Sequence, residues 1–348
     1  MFKRKVAIWN TDMLKYLSRV LFFVPIFLLF YGTNTYGLHA ISLYENPFGY
    51  VLSEQWVQES PIQFFIGYPV NLIINNPTAT HWIVVALGYL FLSVAIFLIN
   101  KNFFNDIYIE KILYFTPFFL VIFTWMGKPD TYTVASLFLL VGMNNSFLIC
   151  CLSIFILVFS HPQVALLYFL LIKYLNIFKL KITHTIIIVS SYITYYFYIS
   201  KLEKFDSRFN IISNELERVL NTMFTNTIAG LVSLFMWLWV IIFLSGFIKD
   251  RKFVLSFFLI FFVSFFTLDH TRIFSLLSMP LIIYLSTKNN FVFLFKKIYD
   301  KKIMYLLGLF QIQKRGDGII VDGRNLTDLN IFEKLVYEFM QIIQNFLT

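Results

Sequence analysis

Apolar positions in this chain fall in long runs separated by short polar breaks, without the strict alternation of a half-buried strand. The runs are about 16 to 20 residues long, which is what an α-helix needs to cross a ~30 Å hydrocarbon core. A membrane barrel would alternate lipid-facing and lumen-facing residues instead. The pattern therefore predicts an all-α, polytopic transmembrane bundle of ten spans, near residues 15–32, 81–100, 109–126, 131–143, 146–159, 162–178, 184–200, 227–248, 253–268 and 273–287. The fourth and fifth runs are short for spans, so "MNNS" at 143–146 either separates two helices or interrupts one.

The basic residues decide between these. With ten spans and a cytoplasmic N-terminus, Lys3, Arg4, Lys5, Lys15 and Arg19, then Lys101 and Lys111, then Lys173, Lys179 and Lys181, then Lys249, Arg251 and Lys252 all fall inside. Merging the fourth and fifth spans would export the last two groups, so two helices are expected. The outer side then receives the loop 33–80, which has no Lys or Arg, "GKPD" at 127–130, "SHPQ" at 160–163, "LDHTR" at 268–272 and a mixed-charge segment 201–226. Within that segment Leu216, Val219, Leu220 and Met223 have the spacing of a surface helix.

Residues 1–288 are thus expected to form the transmembrane domain and residues 289–348 a basic cytoplasmic tail. In the tail, "IIVDGRN" carries a D-G turn signal for a hairpin, and residues 330–347 carry an amphipathic helix with Ile331, Leu335, Phe339, Ile342 and Phe346 on one face. "MFKRK" followed by an apolar run without a small-residue cleavage site reads as an uncleaved first span.

Composition sharpens the class. Hydrophobic residues make up 59% of the 348 positions and charged residues 14%, too few to build a water-soluble surface. The net charge of +9 is spread between apolar runs and not over an aromatic-interleaved patch, which argues against a nucleic-acid partner. Cys150 and Cys151 are adjacent in an apolar run and read as packing residues. The chain has no P-loop, dinucleotide fingerprint, HExxH or nucleophile-elbow motif.

Six titratable residues then stand out, because the topology puts Lys128, Asp130, His161, Asp269, His270 and Arg272 at outer helix ends. Each is costly against lipid, whereas several around one watery cavity make a site. An Arg fork and a Lys suit phosphate oxygens, and a carboxylate suits a hydroxyl proton, so the set fits transfer from a phosphate-bearing lipid without a nucleotide. A transporter's proton relay would place acids deeper in the spans. The loop 33–80 adds Glu45, Glu54 and Glu59 beside Tyr and Trp side chains, which suit sugar recognition.

A cytoplasmic N-terminus, one span and a long acidic outer loop with surface helices resemble the start of the GT-C superfamily of polyprenyl-phosphate-sugar-dependent glycosyltransferases. "SEQWVQESPIQFFIGYP" at 53–69 is similar to the acidic, then Pro-hydrophobic-aromatic pattern in that loop of aminoarabinose and mannosyl transferases. "GKPDTYTVASLFLL" at 127–140 is similar to their Asp-containing turn between the third and fourth spans. The resemblance covers roughly residues 1–145 and departs at one point: "GTNTYGLHAISLYE" reaches its first carboxylate only at Glu45, where the family has an acid close behind the first span. "LDHTRIF" also resembles the cation-bearing outer loops of Wzy-type O-antigen and capsule polymerases, without their paired arginine-rich loops.

These resemblances imply a bacterial inner-membrane enzyme of O-antigen, capsule or lipopolysaccharide assembly, with both termini cytoplasmic and its site facing outward. It would take a sugar from a polyprenyl-phosphate-linked donor in the membrane lipid and pass it to a glycan or glycolipid acceptor. Asp130, Glu45, Glu54 and Asp269 are the candidate catalytic acids or bases, and Lys128, Arg272, His270 and His161 the candidate phosphate ligands. No cofactor is required; a divalent metal is compatible with the Asp and His side chains, although their spacing names none. A repeat-unit polymerase and a lipid-linked-glycan flippase are the competing expectations.

Overall fold

The computed structural model describes residues 38–49, 55–115, 121–122, 127–202, 234, 238–265, 270–300, 312–315 and 318–321. These residues are helical apart from connections and one small hairpin. They belong to two compact units, one containing 35–110 and 126–207, the other 111–125 and 208–348. The expected span 15–32, residues 227–233 and 235–237 of the span 227–248, the segment 203–226 and the tail helix 330–347 lie outside the described residues.

In the first unit, two short 3-10 turns, Leu38–Tyr44 and Gln55–Glu59, precede α1, Ile62–Ile74. The helix α2, Pro77–Ile99, follows and continues as a π-helical turn through Asn100–Phe104. The start of α2 is set by Asn76, whose side chain accepts from the Ala79 N–H, and by Pro77 in the first turn, where a missing N–H costs nothing. Then come α3 (Ile107–Phe115, which runs on into the second unit), α4 (Asp130–Gly142), α5 (Phe147–Ser160), α6 (Pro162–Leu175) and α7 (Ile182–Ser200). Asn75, Asn105 and Asn176 adopt left-handed conformations where α1, the π turn and α6 end.

"MNNS" separates α4 from α5, so the fourth and fifth apolar runs are two helices. The stretch "IQFFIGYPVNLII" is also helical despite Pro69, and Leu72 and Ile73 project from it into the surroundings. Among the described residues, two helices are long and apolar enough to cross a membrane, Pro77–Phe104 and Ile182–Ser200. The helices α4, α5 and α6 have 13 or 14 residues. At 1.5 Å per residue each covers about 20 Å, which is short of a full hydrocarbon core unless the bilayer thins around them.

The second unit contains α8 (Leu238–Leu244), a 3-10 turn at Phe247–Lys249, α9 (Arg251–Phe265), α10 (His270–Leu277), α11 (Met279–Ser286) and α12 (Asn289–Asp300). The last apolar run of the sequence is therefore two helices, broken at Ser278 ahead of Pro280. A hairpin of β1 (Ile312–Arg315) and β2 (Gly318–Val321) follows, with Arg315 paired to Gly318. Since Arg315 pairs with Gly318, the strands are joined ahead of the Asp322–Gly323 pair expected from the sequence, which comes after β2 in the chain. The sequence carries Gly and Asp, which two-residue turns favour, both at 316–317 and at 322–323, so turn chemistry alone does not choose between them.

Asp250 joins two elements of this unit. Its Oδ1 accepts from the backbone N–H groups of Lys252 (2.9 Å) and Phe253 (3.3 Å), capping α9, and its Oδ2 accepts from the Tyr284 hydroxyl at 2.7 Å. Burial pushes the carboxyl up, but the Tyr284 bond, the two N–H groups and the Lys288 charge outweigh it and hold the group below its ordinary value. A carboxyl depressed on folding stabilises the native state above its unfolded value of about 3.9, and that contribution is lost as pH falls through the lower folded value. Asp250→Asn should therefore be less stable than wild type at pH 7, with the gap closing as unfolding is followed down to about pH 3. A gap independent of pH would show that the charge contributes nothing.

Candidate functional site

A group of the first unit's buried polar side chains lies where the loop before α1 meets the starts of α4 and α6. Gly127, at φ 87°, opens the turn that places Lys128 and Asp130, and Asp130 sits in the first turn of α4. There the unpaired N–H groups and the macrodipole favour a carboxylate. His161 is held by chain geometry: it ends α5 in an extended conformation, φ −155°, and precedes Pro162, which disfavours helix at that residue.

His161 Nε2 lies 3.0 Å from Asp130 Oδ1, and both side chains are 1% exposed. On its other edge, Nδ1 faces Ser60 Oγ at 3.5 Å. An ionised carboxylate only accepts, so Nε2 carries the hydrogen, and in the neutral imidazole Nδ1 is then the acceptor facing the serine hydroxyl. The order carboxylate, imidazole, hydroxyl is that of a base held in one tautomer by an acid. Lys128, next to Asp130 in sequence but one, is also buried.

The loop is fastened around this set. Gln163 Nε2 donates to the Glu59 carboxylate at 3.4 Å, and the Tyr195 hydroxyl donates to the Glu59 carbonyl at 3.1 Å. Tyr192 and Tyr198, on α7 like Tyr195, donate to the carbonyls of Pro162 (2.5 Å) and Pro47 (3.3 Å). Nearby on the same loop, the Tyr44 hydroxyl meets His81 Nδ1 at 3.0 Å, and its ring lies against Gly67, where a Cβ would collide with it. Burial, with Tyr132 close by, pushes the Tyr44 phenol above its ordinary value, so the hydroxyl stays protonated.

The sequence-derived candidates divide clearly. Asp130 and His161 are brought together as partners, and Lys128 is buried two residues before Asp130. Glu45 is exposed at the end of the first 3-10 turn, beside the inward-facing Tyr44. Glu54 and Asp269 lie outside the described residues, as does the side chain of His270. Arg272 is buried on α10 of the second unit. Sequence reasoning did not single out Ser60, and "ESP" offered only a carboxylate, a hydroxyl and a proline as a signal. No group of three or more His, Cys, Asp and Glu side chains able to hold a metal occurs among the described residues. Cys150 is buried, and its Sγ reaches the Met143 carbonyl at 3.6 Å, in keeping with a packing role.

No family model, curated protein or solved structure matches this chain.

Proposed function

We propose that the protein is an integral membrane glycosyltransferase of bacterial surface-polysaccharide assembly, built on about ten spans. It would use a polyprenyl-phosphate-linked donor on the outer face of the inner membrane. The observation supporting this most is the buried pairing of His161 with Asp130, with Nδ1 turned toward a hydroxyl on the acidic loop. Ser60 Oγ marks a place where a hydroxyl is received by that nitrogen, and an acceptor sugar hydroxyl brought to Nδ1 would lose its proton there.

In the step so described, the acceptor oxygen forms a bond to the anomeric carbon while the bond from that carbon to the carrier phosphate breaks. The phosphate departs with the electron pair, and Lys128 offsets the charge that develops on it. Asp130 holds the imidazole in one tautomer and stabilises the imidazolium. The aromatic side chains of the loop suit the faces of a sugar.

Purified protein supplied with a polyprenyl-phosphate sugar and a glycan acceptor should release carrier phosphate and lengthen the acceptor by one sugar. Addition of whole repeat units would make it a polymerase. Accumulation of carrier lipid on the inner leaflet of a deletion strain, with no turnover in vitro, would make it a flippase and remove the enzyme reading.

A further inference from the structure

The start of α9 in the second unit combines two surface features that the glycosyl-transfer reading does not use. On one side of the helix Phe253, Ser256, Ile260 and Ser264 are buried. On the other, Leu255, Phe258, Leu259 and Phe262 are 47%, 58%, 42% and 59% exposed, at the i, i+3, i+4, i+7 spacing of a single helical face. Just ahead of this stripe stand Lys249 and Arg251, both exposed, and Lys252, half-buried.

The only acid in the 249–252 stretch is Asp250, and it is already committed. Its oxygens hold two backbone N–H groups and the Tyr284 hydroxyl, and Lys288 adds a further cation, with its Nζ 4.4 Å from the centre of the Tyr284 ring. The N–H groups that begin α9 are thus taken up by Asp250, and an incoming anion would be held by side-chain cations. From Leu255 to Phe262 the stripe runs about 10 Å along the helix, within the ~15 Å half-thickness of a hydrocarbon core.

A cationic ring at the head of an apolar stripe matches a molecule with an anionic head and apolar tails. We infer that this face binds an anionic glycerophospholipid of the surrounding leaflet, with the phosphate at Lys249, Arg251 and Lys252 and the acyl chains along Leu255, Phe258, Leu259 and Phe262. Charge complementarity selects the anionic headgroup over a neutral one, and the stripe selects a lipid over free phosphate. The inference is independent of the glycosyl-transfer reading; it requires only that this unit contacts a bilayer.

The test uses the full-length protein in neutral detergent, following thermal unfolding as lipid is added. Phosphatidylglycerol should raise the midpoint by several degrees and phosphatidylcholine should not. The increment should shrink as NaCl is raised from about 0.05 to 0.5 M, because the Debye length shortens. The triple variant Lys249→Gln, Arg251→Gln, Lys252→Gln, altered only in side chains that leave the Asp250 cap intact, should lose the phosphatidylglycerol increment while keeping its lipid-free midpoint.

Equal shifts with the two lipids, or a salt-insensitive increment, would overturn the inference. So would a triple variant that keeps the full increment. Should the triple variant be unstable without lipid, the salt titration of the wild type decides alone. A shift reproduced by inorganic phosphate would also overturn it, since the stripe would then have no part in binding.

Discussion

His161→Ala should lower the free energy of unfolding by about 2–3 kcal/mol, because the buried Asp130 carboxylate loses the hydrogen bond that Nε2 donates to it. The Asp130 carboxylate would remain at the start of α4, 1% exposed, without the Nε2–H that now lies 3.0 Å from it. Ser60 would lose the Nδ1 partner that ties the loop to the α5–α6 junction. Asp130→Asn is a milder change with a different purpose. A carboxamide oxygen still accepts from Nε2, so about 1 kcal/mol of stability should be lost. A neutral amide no longer stabilises an imidazolium, however, and release of carrier phosphate should fall by about 10²- to 10⁴-fold, the range general-base catalysis supplies. Thermal unfolding in detergent and single-turnover assays separate the two effects. A His161→Ala protein with a wild-type midpoint would show that the pair does not hold this end of the unit together. Full turnover by Asp130→Asn would remove the base role while leaving the structural one.

The two kinds of information in the chain were unequally readable. The hydrophobic runs placed α4, α5 and α7 to within a residue or two, because a run of apolar side chains bounded by polar breaks is a local signal. The parity argument from lysines and arginines likewise separated α4 from α5 at "MNNS", using charges far outside that stretch. Helix length was harder. The runs at 162–178 and 273–287 continue past the points where Asn176 turns left-handed and where the chain breaks at Ser278, so hydrophobicity overstated the helices there.

Pairing was harder still. Asp130 and His161 were both expected at one face of the membrane, but only packing of α4 against α5 and the pre-proline geometry of His161 brings Nε2 onto the carboxylate. His161, expected as a phosphate ligand, thus has its Nε2 against a carboxylate. Ser60 was out of reach because its position depends on the fastening of the loop by Gln163 and the α7 tyrosines, contacts separated by about a hundred residues and more. An unremarkable serine becomes informative only when its neighbours are known.

The seam between α2 and α4 carries the second large expected effect. A Cβ at Gly142 would stand 2.7 Å from the Ile99 Cα, 2.8 Å from the Ile99 nitrogen and 3.0 Å from the Leu98 carbonyl carbon. All three are backbone atoms of α2, so no rotamer change relieves the contact and the helices must move apart. Gly142→Ala should therefore cost about 1–3 kcal/mol, even though alanine is the better helix former. Trimming the Ile99 side chain, as in Ile99→Ala, should fail to rescue it, since that side chain is not what collides. At Gly88, on the same seam, an added Cβ meets Thr131 Oγ1 at 2.7 Å and the Tyr132 ring at 2.9 Å. These are side-chain atoms that can turn aside, at the expense of the Tyr132 hydroxyl bond to the Val84 carbonyl. Gly88→Ala should accordingly be the milder of the two, and Thr131→Ala should recover part of its loss. The order of the unfolding midpoints checks the argument: Gly142→Ala at the wild-type value, or rescued by Ile99→Ala, would mean that α2 and α4 do not meet backbone to backbone at that point.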